Sequence, residues 1–141
     1  WRLHAPPRAV ATAVRFLGFR LMLGMGLDKF YDAEGACGGA DCGWEDGSYL
    51  RGFYTWQPMP TPGGWLAHHS SPTQLLWQAH TVFFSQLVLP FPALLGPAPL
   101  RWASALLLTA EQVWIAFVGN FGIFNLLSGL LVLLPWLDDL P

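Results

Sequence analysis

The sequence predicts an all-α integral membrane protein, a bundle of about four transmembrane helices with one long structured extramembrane loop. Three observations predict it. Charged residues make up only 11% of the 141 residues, against about 25% in a soluble domain; that is too few to coat a water-facing surface. Hydrophobic residues reach 53%, the mean hydropathy is +0.38, and the apolar residues are gathered in long blocks, which points to lipid as the solvent. Eight Trp and ten Phe suit surfaces at acyl-chain and headgroup level. The formal net charge of -2 gives no electrostatic basis for binding nucleic acid.

The first span, about Ala9 to Leu27, follows Pro6 and Pro7, which suit a helix start. At about 1.5 Å per residue it is long enough to cross. Arg15 and Arg20 inside it argue against a cleavable signal peptide. Asp28 and Lys29 close it. From Phe30 to about Thr73 the chain is rich in Gly, Pro and aromatics without a sustained period, and reads as the long loop. Within it, Gly63 to His69 suits one turn at the membrane surface with Trp65 as anchor. The second span, about Gln74 to Leu95, should kink or end at Pro90 and Pro92. A tight turn, Gly96 to Pro99, leads to the third span, about Leu100 to Val118. Gly119 and Asn120 break it. The fourth block, Phe121 to Leu137, just reaches the ~17 residues that a crossing needs. Residues 1–141 read as one membrane domain, and the start at Trp1 marks a processed chain or part of a longer one.

Arg2, Arg8 and Arg101 fall on one side of this arrangement, which should be cytoplasmic. The loop, with Arg51 among Asp32, Glu34, Asp41, Glu45 and Asp46, should face the lumen or exterior.

Arg15, Arg20 and Glu111 fall inside apolar spans, where a charge costs at least ~2.5 kcal/mol. Such residues turn inward and pair, so a buried ion pair fixing the helices is expected, with a proton or substrate site as the functional alternative. Ala105, Thr109, Gln112 and Ala116 share one small or polar face of the third span, open to close helix approach. Asn120 and Asn125 suit helix-packing hydrogen bonds or caps. Cys37 and Cys42, in a Gly-rich stretch on the oxidising side, are candidates for a disulfide or for two free thiols. His68 and His69 have no zinc-motif spacing, so no metal is expected. No nucleophile elbow, phosphate loop or carboxylate dyad is present, and neither a catalytic activity nor a cofactor is expected.

Several stretches together resemble the lipase maturation factor family. They are Phe19 to Leu27 with Lys29, then Trp44 and Asp46, then the run Tyr54-Thr55-Trp56-Gln57-Pro58-Met59-Pro60-Thr61-Pro62, then His68 and His69. Val88 to Phe91, Gly119 to Leu127, and Asp138-Asp139 follow in the family's order. The resemblance implies a polytopic membrane protein, in animals of the endoplasmic reticulum, that helps lipases fold and assemble. The departures concern ionisable groups. Thr55 replaces a Glu, Phe83 and Gln86 replace a His and a Glu, and Gly43 separates Cys42 from Trp44.

Two readings follow. On the first, the chain assists secretory lipases, and the loop with Tyr54, Trp56, Gln57, Pro58, Met59, Pro60, Trp65, His68 and His69 contacts the client. On the second, the fold has become a non-catalytic subunit of a larger membrane complex, respiratory or photosynthetic, in an energy-transducing organellar membrane. A weaker third reading is a membrane enzyme using Arg20, Glu111 and His80. Membrane lipid is a partner on all of them.

Overall fold

A computed structural model describes residues 8–31, 43–57 and 59–133. Among these, every regular element is helical. The first helix, α1, runs Arg8–Tyr31, past the expected end. Lys29 continues it by donating from Nζ to the Met25 carbonyl one turn back, at 2.7 Å, a favourable place for a cation at a helix C-terminus.

Two short helices occupy the segment expected to be loop. Helix α2 is Ser48–Trp56 and α3 is Pro62–His68. Leu50, Phe53 and Tyr54 lie on one face of α2, at helical spacing, against the rest of the molecule. The Thr61 hydroxyl caps α3 by accepting from the Gly64 N–H at 2.9 Å, ahead of Pro62 in the first turn.

Helix α4, Pro72–Phe83, starts in a capping box between Ser71 and Gln74. It passes without a break into a π-helical segment, Phe84–Val88, and then into α5, Pro90–Leu95. Pro90 has no N–H to give to the Gln86 carbonyl. The preceding turn widens, and the Leu89 N–H goes to the Phe84 carbonyl at 3.3 Å. The prolines therefore widen the rod rather than end it. The wide turn also brings two consecutive polar residues inside, Ser85 at 4% and Gln86 at 1% exposure. Helix α6 is Ala98–Val118 and α7 is Ile123–Leu133.

The distribution of side chains is inverted relative to a water-soluble protein. Ser85, Gln86, Ser104, Glu111, Gln112, Asn125 and Ser128 are buried, while Phe16, Leu17, Leu106, Leu107, Val113, Leu126 and Leu127 are exposed. Small residues bring α6 and α7 together: a Cβ on Gly129 would sit 3.6 Å from Gln112 Cβ.

Four crossing helices were expected; among the described residues one helix, over Ala9–Phe30, is long and apolar enough to cross on length and composition. The second rod is interrupted by the π segment. Helix α6 is diluted by Arg101, Glu111 and Gln112. The described part of α7, Ile123–Leu133, covers 11 residues, about 16 Å at 1.5 Å each, against a ~30 Å core.

Candidate functional site, a cleft beneath the two short helices

A cleft of about 330 Å³ lies between the end of α1, α2, α4 and the junction of α6 with α7. Seven aromatic side chains line it, Trp44, Tyr49, Phe53, Tyr54, Trp114, Phe121 and Phe124, with Met25, Leu50, Val82, Ile115 and Val118 between them. The rings support one another. Trp44 stacks on Tyr49 with centroids 4.6 Å apart, and Phe53 stacks on Phe121 at 5.6 Å. Asp28, Lys29, Gln78, Gln86 and Asn125 supply the polar part of the lining.

Lys29 organises that polar part. Its Nζ donates to Gln86 Oε1 at 2.6 Å and lies 5.0 Å from the Trp44 ring centroid. The same Gln86 donates from Nε2 to Glu111 Oε1 at 2.9 Å. A neutral amide thus stands between a cation and a buried carboxylate, giving each the partner it needs. Glu111 Oε2 has no hydrogen-bond partner. On α6 and α7, Gln112 Oε1, Asn125 Nδ2 and Ser128 Oγ are likewise buried without one.

The segment over the cleft is pinned, and the residues that carry the family resemblance do the pinning. Gln57 Oε1 accepts from the Asn120 N–H at 3.1 Å. The Thr61 hydroxyl donates to the Phe117 carbonyl at 2.8 Å, satisfying an acceptor left over at the end of α6. Gly63 lies so close that a Cβ there would overlap the Phe117 carbonyl. The two motifs, around Gln57 and around Asn120, are therefore two halves of one joint. On the opposite side Gly47 has φ 76°, and a Cβ on it would fall 2.7 Å from the Leu75 carbonyl carbon. Tyr54 OH donates to Gln78 Oε1 of α4 at 2.6 Å, and burial pushes its phenol up to about 12.

The residues singled out in the sequence separate into groups. Tyr54 and Asn125 line the cleft. Gln57 and the Asn120 backbone form the joint above it. Trp56, Met59 and Trp65 are exposed, as is Pro60. His69 Nδ1 lies 2.8 Å from the Trp65 carbonyl; His68 Nδ1 is buried without a hydrogen-bond partner. Pro58, Cys37 and Cys42 lie outside the described residues. Glu111 is grouped with Gln86 and, through it, Lys29. Arg15 lines a separate small crevice with Gly18, Phe19 and Pro90, and Arg20 and His80 are exposed; the trio Arg20, Glu111 and His80 is not brought together. Lys29 and Gln86 were not singled out as a pair, because nothing local links positions 57 residues apart. Among the described residues no three His, Cys, Asp or Glu side chains gather as a metal site requires.

Comparison with known proteins bears on these features. The chain matches the family described as lipase maturation factor transmembrane domain over residues 1–140. Lipase maturation factor 1 of Bos taurus is 31% identical over 147 residues, which cover 100% of this chain and 23% of the relative. Lipase maturation factor 1 of Homo sapiens is 32% identical, covering 89% of this chain and 21% of the relative. For lipase maturation factor 2 of Homo sapiens the figures are 32%, 89% and 17%. The chain thus spans about a fifth of the length of the curated relatives it matches. No solved structure matches it. With a family match over nearly every residue and the resembling motifs joined at the end of α6, the chain belongs to the lipase maturation factor family.

Proposed function

We propose that this chain is the membrane core of a maturation factor of the endoplasmic reticulum that assists secretory lipases in folding and assembly, without catalysing a reaction itself. On this reading α1, the α4–α5 rod, α6 and α7 all lie in the bilayer as one domain. The inverted side-chain distribution supports that placement, because polar groups that lipid cannot satisfy are inside and aliphatic ones outside. The short helices α2 and α3 then lie at the lumenal surface.

The observation that carries the reading is the pinned segment of α2 and α3. Its inward residues, Gln57 and Thr61, are committed to α6, and its outward face presents Trp56, Met59, Trp65 and Leu66, each more than half exposed. A rigid platform with exposed apolar side chains suits transient contact with a folding chain at low entropic cost. The test is purification of the tagged, full-length native protein in gentle detergent, followed by mass spectrometry of its companions. Secretory lipases at substoichiometric levels, reduced by Met59→Ser with Leu66→Ser, are expected. Recovery in fixed stoichiometry with the subunits of one large respiratory or photosynthetic complex would instead establish the subunit reading.

A further inference from the structure

We infer that the cleft beneath α2 is a binding site for a single-chain lipid with a carboxylate head, a long-chain fatty acid, whose head meets Lys29 and Asn125 and whose chain lies among Trp114, Ile115, Val118 and Phe121. The inference is separate from the client platform, which is the outer face of the same segment.

The cleft's size, about 330 Å³, lies in the range of small-molecule sites, ~300 to 1,000 Å³. Its walls suit an acyl chain better than a peptide. An extended peptide brings an N–H and a C=O at every residue, each needing a partner, and walls of aromatic and aliphatic side chains on helices supply few. An acyl chain asks for no hydrogen bonds along its length. At its head it asks for donors, and these are present. Lys29 Nζ is bound to two neutral oxygens, those of Met25 and Gln86, and among the described residues no carboxylate pairs with it directly. Asp28 also lines the cleft but is exposed to solvent, and Glu111 is held off by the intervening Gln86. Asn125, 4% exposed, lines the same cleft with its amide nitrogen unpartnered. A carboxylate would complete both groups. A two-chain phospholipid would have to leave its second chain outside this volume.

The site also lies where such a ligand would arrive. Lys29 stands at the end of the helix that is long and apolar enough to cross the bilayer, the level at which headgroups meet acyl chains.

The experiment uses the full-length native protein in phosphatidylcholine nanodiscs. The probe is palmitate with a photoactivatable diazirine on its chain, and adducts are mapped by mass spectrometry. A parallel arm uses phosphatidylcholine carrying the same diazirine chain. Adducts of the palmitate probe at Ile115, Val118 and Phe121, suppressed by unlabelled oleate, are expected. Ile115→Trp, which fills the cleft, should abolish them, and Lys29→Met should weaken palmitate capture by about tenfold or more. Either variant suffices should the other misfold. The inference is overturned if the adducts fall equally on outward Leu106, Leu107 and Val113 and resist oleate, or if the phosphatidylcholine arm labels the cleft as strongly. It is also overturned if a folded Ile115→Trp or Lys29→Met protein captures palmitate like the parent.

Discussion

The molecule contains two cores that use the same kinds of helix to opposite ends. In the first, Met22, Leu89, Ala93, Ala105, Leu108 and Val132 close upon one another, with Leu21, Met25 and Trp102 packed around them. In the second, Leu50, Tyr54, Ala67, Leu75, Ala79 and Val118 make a floor, and the space beside it remains as the cleft. The first is built from aliphatic and small side chains, which interdigitate to high density. The second is walled by flat rings that meet face to face and edge to face; such rings brace a wall without filling what lies behind it. The first core holds the rods together. The second holds a platform over a space.

If that contrast is right, the platform's joint should be the place most sensitive to a small addition. Gly63→Ala drives a methyl group into the Phe117 carbonyl, which is backbone and cannot swing aside. A loss of about 3 kcal/mol is expected, read as a lowered Tm in detergent with new proteolytic cleavage between α2 and α4. Gly24→Ala, inside α1, meets nothing within 4 Å, and since alanine is the better helix former it should neither lower the Tm nor add cleavage. Equal losses at the two positions would remove the distinction between joint and rod.

The polar relay at the border of the two cores comes next. Glu111→Leu removes the acceptor of the Gln86 Nε2 donor and should cost about 2 kcal/mol by leaving that donor buried and unpaired. Glu111→Gln retains an acceptor and should cost less than about half as much. The comparison is made by thermal unfolding of both variants; equal costs would mean that charge, rather than the hydrogen bond, matters at this position.

Much of this arrangement was legible in the sequence, and what was not has identifiable causes. The helical class and the long first helix followed from apolar blocks, since lipid selects them directly. The two short helices α2 and α3 did not. In α2 the helical spacing of Leu50, Phe53 and Tyr54 lasts only nine residues, Ser48–Trp56, too short a run to stand out as a period amid the Gly, Pro and aromatic residues around it. Pro90 reads as a break because proline removes a donor; that a π turn absorbs the loss depends on Ser85 and Gln86 finding partners inside. Glu111 was recognisable as needing a partner. That the chain of partners would run through an amide to Lys29 depends on the packing of α1 against the π segment, which no local rule encodes. The match of Gln57 to the Asn120 N–H is likewise tertiary: both stretches were conspicuous, and only the fold makes them neighbours.

Tyr54 tests the second core more gently. Tyr54→Phe loses the bond to Gln78 and should cost about 1 kcal/mol at neutral pH. It should also change the alkaline limb. The phenol titrates near 10 in an unfolded chain and at about 12 in the fold. Between those values the unfolded state holds fewer protons, so stability falls as pH rises through the window, and is unaffected below it. Unfolding measured from about pH 9 to 11 should show this decline in the parent and less of it in Tyr54→Phe. Identical slopes would place the ring in water.

The smallest effect on stability belongs to the outer face, and its smallness is the point. Met59 is 65% exposed and stands outside both cores, so Met59→Ser should change unfolding by no more than about 0.5 kcal/mol. The same substitution, combined with Leu66→Ser on a side chain 59% exposed, should nonetheless lower client capture by the native protein. A platform that serves only as a lid over the second core predicts no such split, because everything it does for the fold is done by Gln57, Thr61 and Gly63 on its inner side. Unchanged capture with unchanged stability would therefore confine the work of the segment to its inner face, and would overturn the proposed client platform.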